Sequence, residues 1–390
     1  MKINITPKAK TKNYLSNNYY VSKDIKFIDI NKLINKSLEY VSILNKNDQQ
    51  IFNKTIDLIS KLSKDLKVKL NDDDFILSEF EMVELNNVSI EKIPRYLVYR
   101  YKYNIYPKKK IIEDYPPSVQ IEPTSKCNFR CIMCYQSDKS FSSKESGFMG
   151  DMKIDIFKKI IDEIEGKVES ITLASRGEPT LNRLLPEFLE YCGNKFLALK
   201  VNTNASMLNN EIIHSLFKSG LQTIVFSIDA ANKEDYESIR VKSNFNKIIK
   251  NLTLFKEIKD KYYPNSKKII RISGVKINDK QNLEEMKLIF KEYADFIGLT
   301  SFTPWQSSYD NEINNIEKPC TELWRRIFIW EDGKVNPCDY DYKSLLNKYN
   351  VNEKSIKDIW TSNDYYNVLR QKHLNNQRKD LEPCKRCVIT

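Results

Sequence analysis

The sequence predicts an α/β protein built on a parallel sheet, and three observations carry that expectation. Six short apolar runs alternate with amphipathic helical stretches between residues 118 and 302. That is the rhythm of βα units, in a sheet either barrel-like or doubly wound. Cysteines cluster at both ends of the pattern, three within eight positions at its start and four in the last 71 residues. The composition, 41% hydrophobic and 29% charged over 390 residues, is that of a globular chain. It is long enough for two domains, or for one large barrel with attachments.

Taken in order, residues 1–115 form an N-terminal accessory region. Within it, "QQIFNKTIDLISKL" sets Phe52, Ile56, Ile59 and Leu62 on one helical face. The opening "MKINITPKAKTKNYLSNNYY" lacks the apolar core of a signal peptide. Pro116-Pro117 breaks regular structure and begins the second region, 116–302. Its strand-like runs are Val119 to Ile121, Ile171 to Ala174, Leu197 to Val201, Thr223 to Ile228, Ile269 to Ile272 and Phe296 to Leu299. Between them, Phe157, Ile160, Ile161 and Ile164 share a helix face, as do Phe245, Ile248, Ile249, Leu252 and Phe255. In the third region, 303–390, the alternation stops. "FTPWQSS", from Phe302, is a connecting loop in preference to a pocket wall. "RRIFIWEDGKVNPC" reads as a hairpin turning at Asp332-Gly333, and "SIKDIWTSNDYYNVLRQKHL" as a helix capped by Ser355.

Several classes of function are disfavoured at this level. No uncharged run approaches the roughly 18 residues of a membrane span. A cytoplasmic setting is expected, where cysteines serve as ligands or catalysts more than as disulfides. The net charge of +11 is spread among acids, with only "YPKKKII" and the chain's last turn locally basic, so nucleic acid is not an indicated partner. Just two histidines, His214 and His373, leave no material for a His-built zinc or iron centre. Any metal would sit on sulfur.

"SKCNFRCIMCYQ" supplies three such sulfurs, Cys127, Cys131 and Cys134, directly after the first strand. A zinc knuckle needs a fourth ligand, whereas a [4Fe–4S] cluster tolerates three thiolates with one iron left open. The Cys-x3-Cys-x2-Cys spacing, with Met133 in the apolar place before the last cysteine, resembles the signature loop of the radical S-adenosylmethionine (radical SAM) enzymes. "SRGEP" ends the second strand, where that family has its Gly-Glu-Pro motif; "VNTNAS" and "FSIDA" end the third and fourth. The resemblance covers residues 118–390 and implies a partial (β/α)6 TIM-like barrel with chemistry at the carboxyl ends of its strands. It implies further that Gly177 and Glu178 meet the methionine amino group of SAM, with Pro179 shaping the turn. Ser227 and Arg240, from "YESIR", would hold its carboxylate or ribose. Asn204 and Asp229 are assigned either to SAM or to capping the helices that follow.

Cys320, Cys338, Cys384 and Cys387 fill either a four-cysteine zinc site or all corners of a second cluster. Cys320-x12-Gly333-x4-Cys338 resembles the opening of the SPASM and twitch auxiliary-cluster domains, and four cysteines suit one auxiliary [4Fe–4S] cluster. Cys192, in "LPEFLEYCGNK", is expected to be a buried small hydrophobe. The resemblance implies reductive cleavage of SAM to a 5′-deoxyadenosyl radical and abstraction of a substrate hydrogen, with electrons from a donor such as flavodoxin or ferredoxin. The preferred outcome is two-electron oxidation of a sugar- or aminocyclitol-type alcohol, with the auxiliary cluster as acceptor. Radical modification of a ribosomally made peptide, epimerisation, and a non-catalytic zinc protein are the alternatives.

Overall fold

The computed structural model describes residues 19–21, 30–64 and 75–390. Ten strands form one open sheet: β1 (Tyr19–Val21), β2 (Ser118–Ile121), β3 (Ser170–Leu173), β4 (Ala198–Thr203), β5 (Thr223–Ser227), β6 (Ile269–Lys276), β7 (Phe296–Ser301), β8 (Arg326–Ile329), β9 (Lys334–Asn336) and β10 (Tyr349–Asn350). Their order is β1-β7-β6-β5-β4-β3-β2-β8-β9-β10. β2 to β7 are the six predicted strands; they run parallel, each beside its predecessor, as a partial barrel.

Alternation along each strand divides the side chains between two faces. Ile121, Leu173, Val201, Phe226 and Ile272 are fully buried in the same apolar core as the surrounding helices. The helix Ile154–Ile164 contributes its predicted face of Phe157, Ile160, Ile161 and Ile164. Phe157 stacks on Phe188 of the next helix with ring centroids 4.1 Å apart. The alternate positions, among them Gln120, Thr172, Lys200 and Arg271, face the interior of the barrel.

Beyond residue 302 the predicted hairpin forms, with β8 and β9 antiparallel and Gly333 at φ +85° in the turn. β8 also pairs in parallel with β2, from Ser118↔Arg326 to Ile121↔Ile329. The hairpin therefore extends the barrel sheet across the boundary expected at residue 302. The helix predicted after Ser355 is corrected to two, Ile356–Trp360 and Tyr366–Leu374. Ser355 caps the first, its hydroxyl accepting from the Asp358 N–H at 3.0 Å. The break falls on Thr-Ser-Asn-Asp, residues that hydrogen-bond their own backbone. There the Ser362 hydroxyl accepts from the Tyr366 N–H and opens the second helix.

Four helices, α1 (Ile30–Ser37), α2 (Lys46–Lys64), α3 (Glu79–Asn87) and α4 (Ile93–Lys109), build the N-terminal region. Of the predicted α2 face, Phe52 is fully buried and Ile56 and Ile59 pack at the edge of this core; the Leu62 side chain lies outside the described residues. The opening residues 1–18 also lie outside them. α4 docks at the amino ends of the barrel strands. Arg95 pairs with Glu169 at 2.5 Å, and the Tyr103 hydroxyl accepts from Arg326 at 3.0 Å. From α3, Phe80 packs against Phe296 and under the Arg271 guanidinium. Among the described residues no helix is long and apolar enough to cross a membrane.

Candidate active site

The three-cysteine loop leaves β2 and folds back under its own arginine. Arg130 Nη1 donates to the carbonyls of Cys127 and Phe129, both at 2.7 Å. The N–H groups of Arg130 and Ile132 donate to Val241 and Ile239, which ties the loop to the segment carrying Arg240. Backbone N–H groups of Phe129 and Gln136 point at the sulfurs of Cys127 and Cys134, at 3.4 and 3.5 Å. Burial pushes the Cys131 thiol up to about 11 and the Cys134 thiol up to about 12. Cys127 goes higher still, by burial and then repulsion from Cys131 and Glu178. Such thiols keep their protons at neutral pH until a metal displaces them. Met133 is buried beside them.

The "SRGEP" turn passes directly beneath this loop. A Cβ on Gly177 would stand 2.2 Å from the Thr124 carbonyl oxygen, so only glycine fits. Pro179 opens the short turn Pro179–Leu181. The Glu178 carboxylate, 3% exposed, is held by four donors. Oε1 accepts from the Thr180 N–H (3.1 Å) and from the hydroxyls of Thr180 and Thr203 (both 2.6 Å). Oε2 accepts from the Asn204 N–H at 2.7 Å. Burial raises the pKa of Glu178, and these donors oppose the rise.

Neither Asn204 nor Asp229 caps a helix; Asn209 and Asn232 do that. Asn204 donates to Asn128 of the cysteine loop at 3.1 Å. Asp229 is fully buried, accepts from the Val275 N–H at 2.7 Å, and lies 2.5 Å from Arg240 Nε. That last approach is a charge contact without the alignment of a hydrogen bond. Arg240 Nη1 stands 3.9 Å from the Cys131 sulfur. Ser227 ends β5, half-buried, beside Ser273. The structure thus gathers the cysteine loop, a buried carboxylate and a buried guanidinium at the carboxyl ends of neighbouring strands.

Sequence reasoning missed Arg176. It donates to Glu122 from its backbone N–H, Nε and Nη2, at 2.9, 2.8 and 2.6 Å, and from Nη2 to Glu331 at 2.9 Å. It also lies over the Trp330 ring at 4.2 Å. One cation thereby joins the ends of β2, β3 and β8. Burial and then the neighbouring Glu122 push Glu331 up to about 9, while Glu122 is held low by Arg176 against its own burial. Nothing local in the sequence marks this cluster, because Glu122 and Glu331 are 209 positions apart.

Cys320, Cys338, Cys384 and Cys387 line a single cavity. Arg378, 2% exposed, donates to the carbonyls of both Cys384 and Cys387. His373 shares the cavity wall; its Nδ1 accepts from the Cys320 N–H at 3.2 Å, and its buried Nε2 has no partner. Among the described residues no three His, Cys, Asp or Glu side chains converge as a single ion requires. A cavity walled by four sulfurs and one orphaned nitrogen suits a bulkier, sulfur-rich group. Trp305, in the segment read as a plain loop, stacks on Tyr135 and packs against the aromatic cluster at Cys134 and also against Tyr340 and Cys387. It therefore stands between the two cysteine sets. Cys192 is fully buried in the helix layer.

The architecture and the two sulfur sites coincide with two known domains. Residues 121–289 match the radical SAM superfamily, and residues 320–388 match the SPASM iron–sulfur cluster-binding domain. The chain carries a radical SAM domain with a SPASM domain C-terminal to it. The uncharacterized protein MJ0804 of Methanocaldococcus jannaschii is 30% identical over 178 residues, 45% of this chain; the match spans only about half, 54%, of that relative. The tungsten-containing aldehyde ferredoxin oxidoreductase cofactor-modifying protein of Pyrococcus furiosus is 27% identical over 297 residues, 63% of this chain and 81% of that one. Among solved structures, Streptococcus suis SuiB bound to S-adenosylmethionine aligns over 92% of this chain and 88% of its own, with a TM-score of 0.52 and 17% identity. Bound to precursor peptide SuiA, it aligns over 88% and 84%, with a TM-score of 0.50 and 19% identity. The likeness to SuiB is one of fold. A radical SAM domain followed by a SPASM domain carries a SAM-binding [4Fe–4S] cluster and auxiliary iron–sulfur, and both sulfur sites fit that cargo.

Proposed function

We propose that the chain is a radical SAM dehydrogenase that oxidises a sugar- or aminocyclitol-type alcohol by two electrons. Cys127, Cys131 and Cys134 hold the SAM-binding cluster, and Cys320, Cys338, Cys384 and Cys387 hold one auxiliary cluster. Glu178, fixed by Thr180, Thr203 and Asn204, offers its charge to the SAM ammonium, and Arg240, oriented by Asp229, to the carboxylate. When bound, the cluster and SAM supply a 5′-deoxyadenosyl radical. Met133 and Ser227 complete the walls around SAM, and the SRGEP turn keeps the cysteine loop in register. The cluster that Cys320, Cys338, Cys384 and Cys387 would hold would supply an acceptor for one electron, while the substrate would lose a hydrogen atom from its carbinol carbon to the radical and a proton from its hydroxyl to solvent. A flavodoxin- or ferredoxin-type donor supplies the initiating electron.

The observation that carries this reading is the fate of the eight cysteines. Seven belong to the two sulfur sites, and Cys192 is sealed in the helix layer. No thiol remains to return a hydrogen atom to a product radical, as epimerisation would require. The test is Cys384→Ala, reconstituted anaerobically. SAM cleavage should persist while oxidised product falls roughly tenfold or more. Undiminished product sinks the acceptor role, and solvent deuterium in a redox-neutral product would establish epimerisation. A second reading, modification of a ribosomally made peptide, is supported by the fold likeness to SuiB, whose peptide-bound form aligns over most of this chain. A precursor peptide consumed in the same assay would select it.

A further inference from the structure

Barrel interiors are ordinarily filled by layers of bulky apolar side chains. Here the inward positions of β2, β3, β4 and β6 carry Gln120, Thr172, Lys200, Asn202 and Arg271. Lys200 sits in mid-strand, level with Thr172 on β3 and Thr223 on β5. Its neighbours Leu199 and Val201 are fully buried in the outer core, so Lys200 points into the lumen. The charges that act on it are Arg271 of β6, Arg326 of β8 and Arg100 of α4. Arg100 pairs with Glu81 at 3.2 Å and with Glu84, and Arg326 with Glu322 at 2.9 Å. Arg271 lies on the Phe80 ring, 4.4 Å from its centre. Among the described residues the Lys200 side chain has no ion-pair or hydrogen-bond partner. Burial, then the three arginines, lower its pKa to about 7.

An unanswered cation in a confined, cationic lumen is costly for the protein alone and becomes favourable once an anion arrives. Lys200 is half-buried. Two positions towards the catalytic end, Asn202 Oδ1 is buried with no partner, an acceptor suited to a hydroxyl donor. One position further, Thr203 holds Glu178. From Lys200 to Thr203 the strand rises about 10 Å, which is the span from the lysine to the residue that holds Glu178. We propose that Lys200 is the anion site of the lumen, and that the substrate carries a carboxylate or phosphate at the end remote from the carbon that reacts. The inference rests on the proposed radical SAM site and narrows its substrate. Among sugar-type alcohols it selects acidic ones and excludes the cationic aminocyclitols.

The test measures binding, so it stands apart from turnover. Anaerobically reconstituted protein with SAM is titrated calorimetrically with glucose 6-phosphate, glucuronate, glucose and glucosamine. Either acidic probe should bind at least about tenfold tighter than glucose, with glucosamine weakest; the tighter of the two acids identifies the anion. Lys200→Met should remove that preference and leave glucose unchanged, while Lys200→Arg retains it. Melting of the same variants serves as the folding control: losing an unanswered cation leaves Tm equal or higher. The proposal is overturned by equal binding of charged and neutral probes, by no binding of the acidic ones, by a preference that survives in Lys200→Met, or by a lowered Tm in that variant. SAM cleavage and product oxidation on the same samples report separately on the dehydrogenase reading.

Discussion

A methyl group on Gly177 would meet the carbonyl oxygens of Thr124 and Lys126 at 2.2 and 2.5 Å, both backbone atoms of the cysteine loop. Gly177→Ala must therefore displace either the turn that carries Glu178 or the loop that carries the sulfurs. We expect reduced iron per chain after reconstitution, with helix content by circular dichroism unchanged. Arg176 acts through charge instead. Arg176→Met strands the buried Glu122 carboxylate, takes a donor from Glu331, and should cost about 3–5 kcal/mol in urea unfolding. Its two acids respond oppositely to pH. Glu331 is raised to about 9 in the folded chain, so its contribution is intact below its unfolded pKa of about 4.3 and is lost as pH rises through 9. Glu331→Gln should flatten that decline and be more stable than the parent at pH 9. Glu122→Gln should be the more damaging change at pH 7, since Glu122 is the partner that stays charged. That the cysteine loop and the strand-end motifs lie at one end of the sheet was legible in the sequence, because each motif's spacing is local and follows a strand. Arg176 stood in the quoted motif, yet its meaning depends on partners 54 and 155 positions away.

The six barrel strands were legible for a physical reason: each is an apolar run bounded by turns, and the register follows from their order. The β2–β8 pairing was not, because parallel pairing between segments 208 positions apart leaves no local pattern. The same holds for α4, whose Tyr99 and Tyr103 make sense only beneath the barrel. At the hairpin, Gly333 occupies φ +85°, and a Cβ there would come within 2.6 Å of Asn350 Oδ1. Gly333→Ala should cost more than about 1 kcal/mol. By skewing the strand that leads to Cys338, it should also lower auxiliary iron while sparing SAM cleavage. Iron quantitation beside a SAM-cleavage assay separates the two centres, and equal loss at both would refute the assignment.

Across the whole molecule, one sheet runs from the N-terminal region through the barrel into the SPASM domain. Trp324, Trp330 and Trp360 are buried in the C-terminal part, whereas backbone ellipticity reports mostly on the helices around the barrel. If the sheet makes the chain one cooperative unit, tryptophan fluorescence and far-ultraviolet circular dichroism should trace a single coincident melt. Two resolved transitions would show that β8 leaves β2 before the barrel opens. The shared strand also orders events on the ribosome. β2 is made early, while its neighbour at Arg326–Ile329 follows only after about 200 more residues, roughly 10–40 s of translation. Through that interval the nascent chain exposes an unpaired strand edge, the kind that seeds aggregation. A chain ending at residue 302 would expose it permanently, so the SPASM segment serves as the barrel's finishing stave as well as its second iron site.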